Sequence, residues 1–77
     1  MDAKQIAFNA AFDGLIDAET QDDAAAALAA LRDATDGADG LRLALYDAFG
    51  DEDHAFLDGV AAAAVDSPAT AAGLLLS

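Results

Sequence analysis

Alanine governs what this chain can become. Of the 77 residues 23 are alanine, and only 20 of the 43 apolar residues are larger. Alanine is the strongest helix former, and the β-branched residues are few and scattered, so the composition is that of helix throughout and offers no strand. A core with so few large side chains is thin. It closes when helix backbones come near one another, because the separation of packed helices follows the size of the side chains between them. At this length there is room for one domain, near the size at which a single core is only marginally sufficient. No covalent staple helps, since cysteine is absent. That absence removes disulfides, thiolate metal sites and cysteine nucleophiles, and leaves the redox compartment undetermined.

Punctuation divides the chain into five helical segments. The first spans about 2–17, with Met1, Phe8, Ala11, Phe12 and Leu15 on one stripe and Asp2, Asn9, Asp13 and Asp17 opposite. Ile6 breaks the pattern on the acidic face, and Gly14 marks a bend or a close approach. Thr20 is the expected N-cap of the second segment, with Asp22 and Asp23 suited to its positive end. Its inner face offers Ala24, Ala27, Leu28 and Leu31, which predicts a close antiparallel hairpin with the first. Gly37 is placed to close that helix in a left-handed conformation. Asp39 is expected to cap a third segment over 40–49, ended by Gly50. There Leu41, Leu45, Ala48 and Phe49 form one stripe while Leu43 and Tyr46 project elsewhere, the mark of a helix that is central or faces a partner. The fourth starts in Asp51, Glu52 and Asp53 and is expected to bury Phe56, Leu57, Val60 and Ala64. Ser67 before Pro68 signals a fifth helix, which Gly73 is expected to end, leaving Leu74, Leu75 and Leu76 beyond it. The expected core joins Leu28, Leu31, Leu45, Phe56 and Val60 to Phe8, Phe12 and Leu15. No repeat or linker interrupts the pattern, so residues 1–77 read as a single acidic domain, an all-α compact bundle of four to five short helices.

Charge narrows the partners. Thirteen Asp and two Glu face only Lys4, Arg32 and Arg42, for a net charge of −12. Such a surface repels nucleic-acid backbones, whose binding depends on lysines and arginines that displace counterions, and it repels anionic membranes for the same reason. The longest unbroken apolar run, Ala24 to Leu31, has eight residues, against the roughly 20 needed to span a bilayer. The first residues, with Asp2 and Asp13 around Lys4, lack the continuous apolar segment of a signal peptide. Self-repulsion of this size strains a small fold unless salt screens it or a basic partner neutralises it. Many Asp, few Lys and much Ala fit the cytoplasm of a salt-accumulating microbe, or a virus assembling there. Ordinary cytoplasm with a basic partner is the other solution.

Little in the chain points to chemistry. His54 is the sole histidine, which excludes a histidine-pair zinc motif. His54 and Asp58 share a helix face at i and i+4, beside Asp51 and Asp53, yet two ligands on one helix are too few for a metal, and an acidic helix start explains them. Calcium-loop spacing fails from Asp33, where position 6 is Ala38, and from Asp51, where position 5 is Ala55. The hydroxyls of Thr20, Thr35, Tyr46, Ser67, Thr70 and Ser77 each have a cap, loop or terminal role and no base at useful spacing. A general acid needs a desolvated carboxyl group, for which so small and charged a chain has little interior. Arg32 and Arg42 flank an acidic turn that includes Asp33, Asp36 and Asp39, as local charge compensation. Finally Gly37, Ala38, Asp39, Gly40 and Leu41, followed by Phe49, Gly50 and Asp51, resemble the segment of acyl carrier proteins in which G-A-D-S-L opens a helix ending in F-G. The resemblance covers about fifteen residues. It implies a helical carrier with phosphopantetheine on the residue at position 40, but that residue is Gly40, which has no hydroxyl to modify, and the stretch to Phe49 is about one turn shorter.

The expected role is therefore non-catalytic, with no cofactor and no metal. It is that of a small structural or assembly subunit docked by protein–protein contacts in a larger complex, a virion or multisubunit particle of a halophile, located in the cytoplasm or the virion. Other protein subunits are the expected partners, in a homo- or hetero-oligomer, with Leu43, Tyr46, Leu74, Leu75 and Leu76 at the interface. The alternative is a free acidic regulator that masks a basic surface of a partner protein. The charge makes folding salt-dependent: helicity followed by circular dichroism rises between low and molar salt, and a flat signal with high stability throughout contradicts the saline reading.

Overall fold

The computed structural model describes residues 2–35 and 37–76. Met1, placed above on the first stripe, lies outside the described residues, as do Asp36 and Ser77. Helix starts follow the capping residues. Helix α1 (Ala3–Asp17) begins at Asp2, whose carboxylate accepts the Gln5 N–H at 2.8 Å. Helix α2 (Gln21–Thr35) begins at Thr20, whose hydroxyl accepts the Asp23 N–H at 3.1 Å. Helix α4 (His54–Asp66) is capped by Asp53, which accepts from Ala55 N–H at 3.0 Å. Helix α5 (Pro68–Leu76) follows after the single residue Ser67, whose hydroxyl accepts from the Thr70 N–H at 3.4 Å and the Thr70 hydroxyl at 3.1 Å. Each of these side chains satisfies a backbone donor that the first helical turn leaves without a partner.

Helix α3 (Ala38–Ala48) departs from the expected start. Gly37 rather than Asp39 is its N-cap, with φ 149° and ψ −176°, a region open to glycine alone. Asp39 sits instead in the first turn. Gly37 therefore opens α3 more than it closes α2, whose end is finished by the Thr35 hydroxyl donating to the Leu31 carbonyl at 2.9 Å. The turn is tight enough to fix the next glycine as well. A Cβ on Gly40 would stand 2.7 Å from Thr35 Cβ and 2.8 Å from the Thr35 carbonyl oxygen. No serine fits there without moving backbone.

Helix α5 runs through Gly73 to Leu76, past the expected stop. A glycine within a helix costs about 1 kcal/mol relative to alanine, too little to end one anchored by neighbours. Ala71 and Ala72 are buried immediately before it, and the Gln21 side-chain amide lies against Gly73 while donating to the Ala69 carbonyl at 3.2 Å.

The five helices form an all-α bundle with no strand among the described residues, and α2 is the only helix that touches the other four. Helix α1 lies along α2 and is continuous through Gly14, where a Cβ would meet Ala27 Cβ at 3.8 Å, an ordinary van der Waals contact. Helix α3 pairs with α4, and α4 with α5; α3 and α5 make no contact, nor does α1 with α4 or α5. The radius of gyration, 11.0 Å, is close to the roughly 11.5 Å expected for a compact chain of this length.

At the centre Leu28 and Leu31 of α2 meet Leu41 and Leu45 of α3 and Leu57 and Val60 of α4, all fully buried. Leu15 enters from α1, and alanines complete the contacts: Ala24, Ala64, Ala71 and Ala72 have no exposed surface. Among the described residues no polar or charged residue is buried. Two expectations need correction. Phe56 is 37% exposed, because the buried stripe of α4 runs Leu57, Val60, Ala61, Ala64 and turns this ring to its flank. Phe8 and Phe12 pack against the core only in part, stacked on each other with ring centroids 5.9 Å apart. Truncation separates these positions. Leu57→Ala is expected to cost about 2–5 kcal/mol and to unfold much of the protein, whereas Phe56→Ala costs less than half as much, as measured by denaturant melts.

Candidate functional site

The side chains with polar chemistry gather where α3 packs on α4. Arg42 and Tyr46 stand one turn apart on α3, and His54 and Asp58 one turn apart on α4, so two i, i+4 pairs face each other across the helix contact. The Tyr46 ring stacks on the His54 imidazole with centroids 4.0 Å apart and planes 11° from parallel, and its hydroxyl donates to an Asp58 carboxylate oxygen. That oxygen also lies 3.8 Å from Arg42 Nε, an ion-pair separation beyond hydrogen-bond reach, and Nε is buried without a hydrogen-bond partner. The Arg42 terminal nitrogen meets Asp39 at 3.6 Å.

Tyr46 engages both members of the His54 and Asp58 pair across the helix contact, stacking on the imidazole and bonding to one carboxylate oxygen. Among the described residues no three His, Cys, Asp or Glu side chains are placed to hold a metal ion. A carboxylate that accepts a phenol proton beside a guanidinium is a tie between helices. The sequence signal for it was present as two i, i+4 pairs on successive helices, but it becomes readable only once α3 and α4 are known to face each other.

Arg32 provides a second tie. Its guanidinium is 3.3 Å from Asp33, as local compensation requires, and it also donates to the carbonyls of Ala64 and Val65, both at 3.4 Å. A cation over the last carbonyls of α4 meets the negative end of that helix. The described carboxylates are all exposed.

The residues expected at an interface fall in two places. Leu43 is 59% exposed on α3, while Tyr46 is partly buried against the core. On α5 Leu74 is 43% and Leu76 48% exposed, and Leu75 packs partly inward. Since α3 and α5 do not touch, the leucines of α5 do not fold over Leu43; large apolar side chains are also exposed on α1, at Ile6 and Ile16, and on α4, at Phe56 and Val65. None of the described helices is long and apolar enough to cross a membrane. The chain matches no family model, no curated protein and no solved structure.

The Tyr46 hydroxyl is held protonated by its bond to Asp58, by partial desolvation and by the Asp58 charge, against a smaller opposing pull from Arg42, so its pKa lies above the usual value. Its tie to Asp58 thus contributes stability from neutral pH up to the ordinary tyrosine range and loses it as pH rises through the elevated pKa. With one tyrosine and no tryptophan the titration can be read directly by ultraviolet absorbance. The midpoint is expected above that of free tyrosine, and Asp58→Ala lowers it; an unchanged midpoint in the variant removes Asp58 as the cause.

Proposed function

We propose that this chain is a non-catalytic assembly subunit, held by apolar contacts to other protein subunits in a larger complex such as a virion or multisubunit particle of a salt-accumulating organism. The observation that carries the reading is the division of exposed leucines between α3 and α5, helices that never meet. A subunit set between two neighbours uses two such faces. Leu43 and Tyr46 belong to one face and Leu74, Leu75 and Leu76 to the other. The acidic exterior suits a saline solvent, in which repulsion between carboxylates is screened while apolar contacts persist. Nucleic acid and anionic membranes are unfavourable partners on the same charge argument.

A second reading, a free regulator that masks a basic protein surface, draws on the uniformly exposed carboxylates. Salt distinguishes the two, because charge-driven association weakens steeply as ionic strength rises. A tagged chain purified from its native cells is expected to retain its complex in molar KCl. The double variant Leu74→Asp with Leu76→Asp is expected to lose it with helicity unchanged. A complex that dissolves as KCl rises, while the double variant stays bound at low salt, supports the regulator instead. A chain that sediments alone in both salts overturns both.

A further inference from the structure

Helices α1 and α3 both pack on α2 but touch each other at few points, and the space between them stays open. One part of that space, about 660 Å³, lies between Phe8 of α1 and the Gly40, Leu43, Ala44 and Asp47 stripe of α3. Another, about 350 Å³, continues from Phe8 and Asp47 to Phe12 and Asp13. The two share Phe8 and Asp47, so they form one groove along the helix pair. Its walls are two stacked phenylalanines and the exposed Leu43, and Tyr46 adds a ring whose orientation is fixed by its bond to Asp58. At its edge stand Asp13 and Asp47, exposed carboxylates that pair with no base among the described residues.

We propose that this groove receives a short amphipathic segment of a partner protein, an apolar anchor flanked by lysine or arginine. The anchor sits between Phe8 and Leu43, and the basic residues meet Asp47 and Asp13. Aromatic and aliphatic walls favour a protein segment over a free polar ligand, since pockets of this size draw their affinity from apolar contact and their orientation from a few charges. The charges select the sign. A second copy of this chain is a poor occupant, because it brings fifteen acids and three bases, of which Arg32 and Arg42 are already committed to carboxylates and to the end of α4. A helix with a basic flank fits the recognition mode in which an apolar face enters a hydrophobic groove between helices.

This inference rests on the reading of the chain as a docked subunit and adds the chemistry of one partner. The probe is a fluorescein-labelled amphipathic peptide of leucine and lysine, compared with a serine and lysine peptide of equal length and charge. Binding is followed by fluorescence anisotropy at the lowest KCl concentration at which circular dichroism shows full helicity, so that the chain is folded while its charges are screened as little as possible. The leucine and lysine peptide is expected to bind, and Leu43→Ser and Asp47→Lys each to weaken it about tenfold. Asp66→Lys, the same change of charge at the far end of α4, is expected to shift binding less than about twofold. All three positions are exposed, so helicity is a control that should not move. The proposal fails if no binding is seen, if the serine and lysine peptide binds as well, or if Asp66→Lys matches Asp47→Lys. The docked-subunit reading is tested through the leucines of α5, so either can fail while the other stands.

Discussion

The packing of α2 against every other helix is the constraint on which the rest of this structure depends. Leu28 and Leu31 supply large side chains that α3 and α4 close around, while Ala24 and Ala27 let other helices come close on the remaining sides. With α1, α3 and α5 largely out of one another's reach, α1 is placed by α2, whereas α3 and α5 are placed by α2 and α4 together. The open groove beside α1 and the separation of the exposed leucines are both results of that arrangement. Neighbours arranged around a central helix leave clefts where adjacent ones fail to meet.

Scarcity of positive charge gives the bases unusual structural weight. Arg32 and Arg42 each pair locally with an aspartate and each also reaches α4, one at its carbonyl end and one at Asp58. Exposed pairs contribute little singly. Here they draw α2 and α3 toward a helix whose other polar residues are acids or a lone histidine. The expectation of local compensation around an acidic turn described the pairs correctly and missed their second partners.

Much of the fold was legible because its signals are local. Thr20 and Ser67 act on backbone groups three residues away, and a sequence pattern names such caps without any tertiary knowledge; Asp2 and Asp53, expected inside the first turns of their helices, stand just before them as caps instead. The start of α3 was misplaced because Asp39 is an equally plausible cap until the contact between Gly40 and Thr35 is known. Phe56 was misplaced for a similar reason: a helix stripe can rotate by one position, and only the neighbours of α4 decide that Ala61 turns inward and the ring outward. The Tyr46 tie lay further from view, since its two halves sit on different helices. Leu43 and the leucines of α5 were recognisable as surplus to one core, but their division between separate faces is a property of topology.

Among the described residues fifteen are buried and eight of these are alanines, four of them without exposed surface. A core of leucines fails by subtraction, when a side chain is shortened and a void is left; a core of alanines fails by addition, when a methyl becomes anything larger and two backbones are forced apart. The two failure modes divide this protein's mutational freedom. At Leu28 or Leu57 a substitution of similar volume is admissible, whereas at Ala24, Ala64, Ala71 and Ala72 almost every alternative is either too large or, as glycine, a poorer helix former. Sequence drift at those four positions is therefore nearly closed, and divergent copies of this fold should differ most at their leucines and least at the residues that look least distinctive.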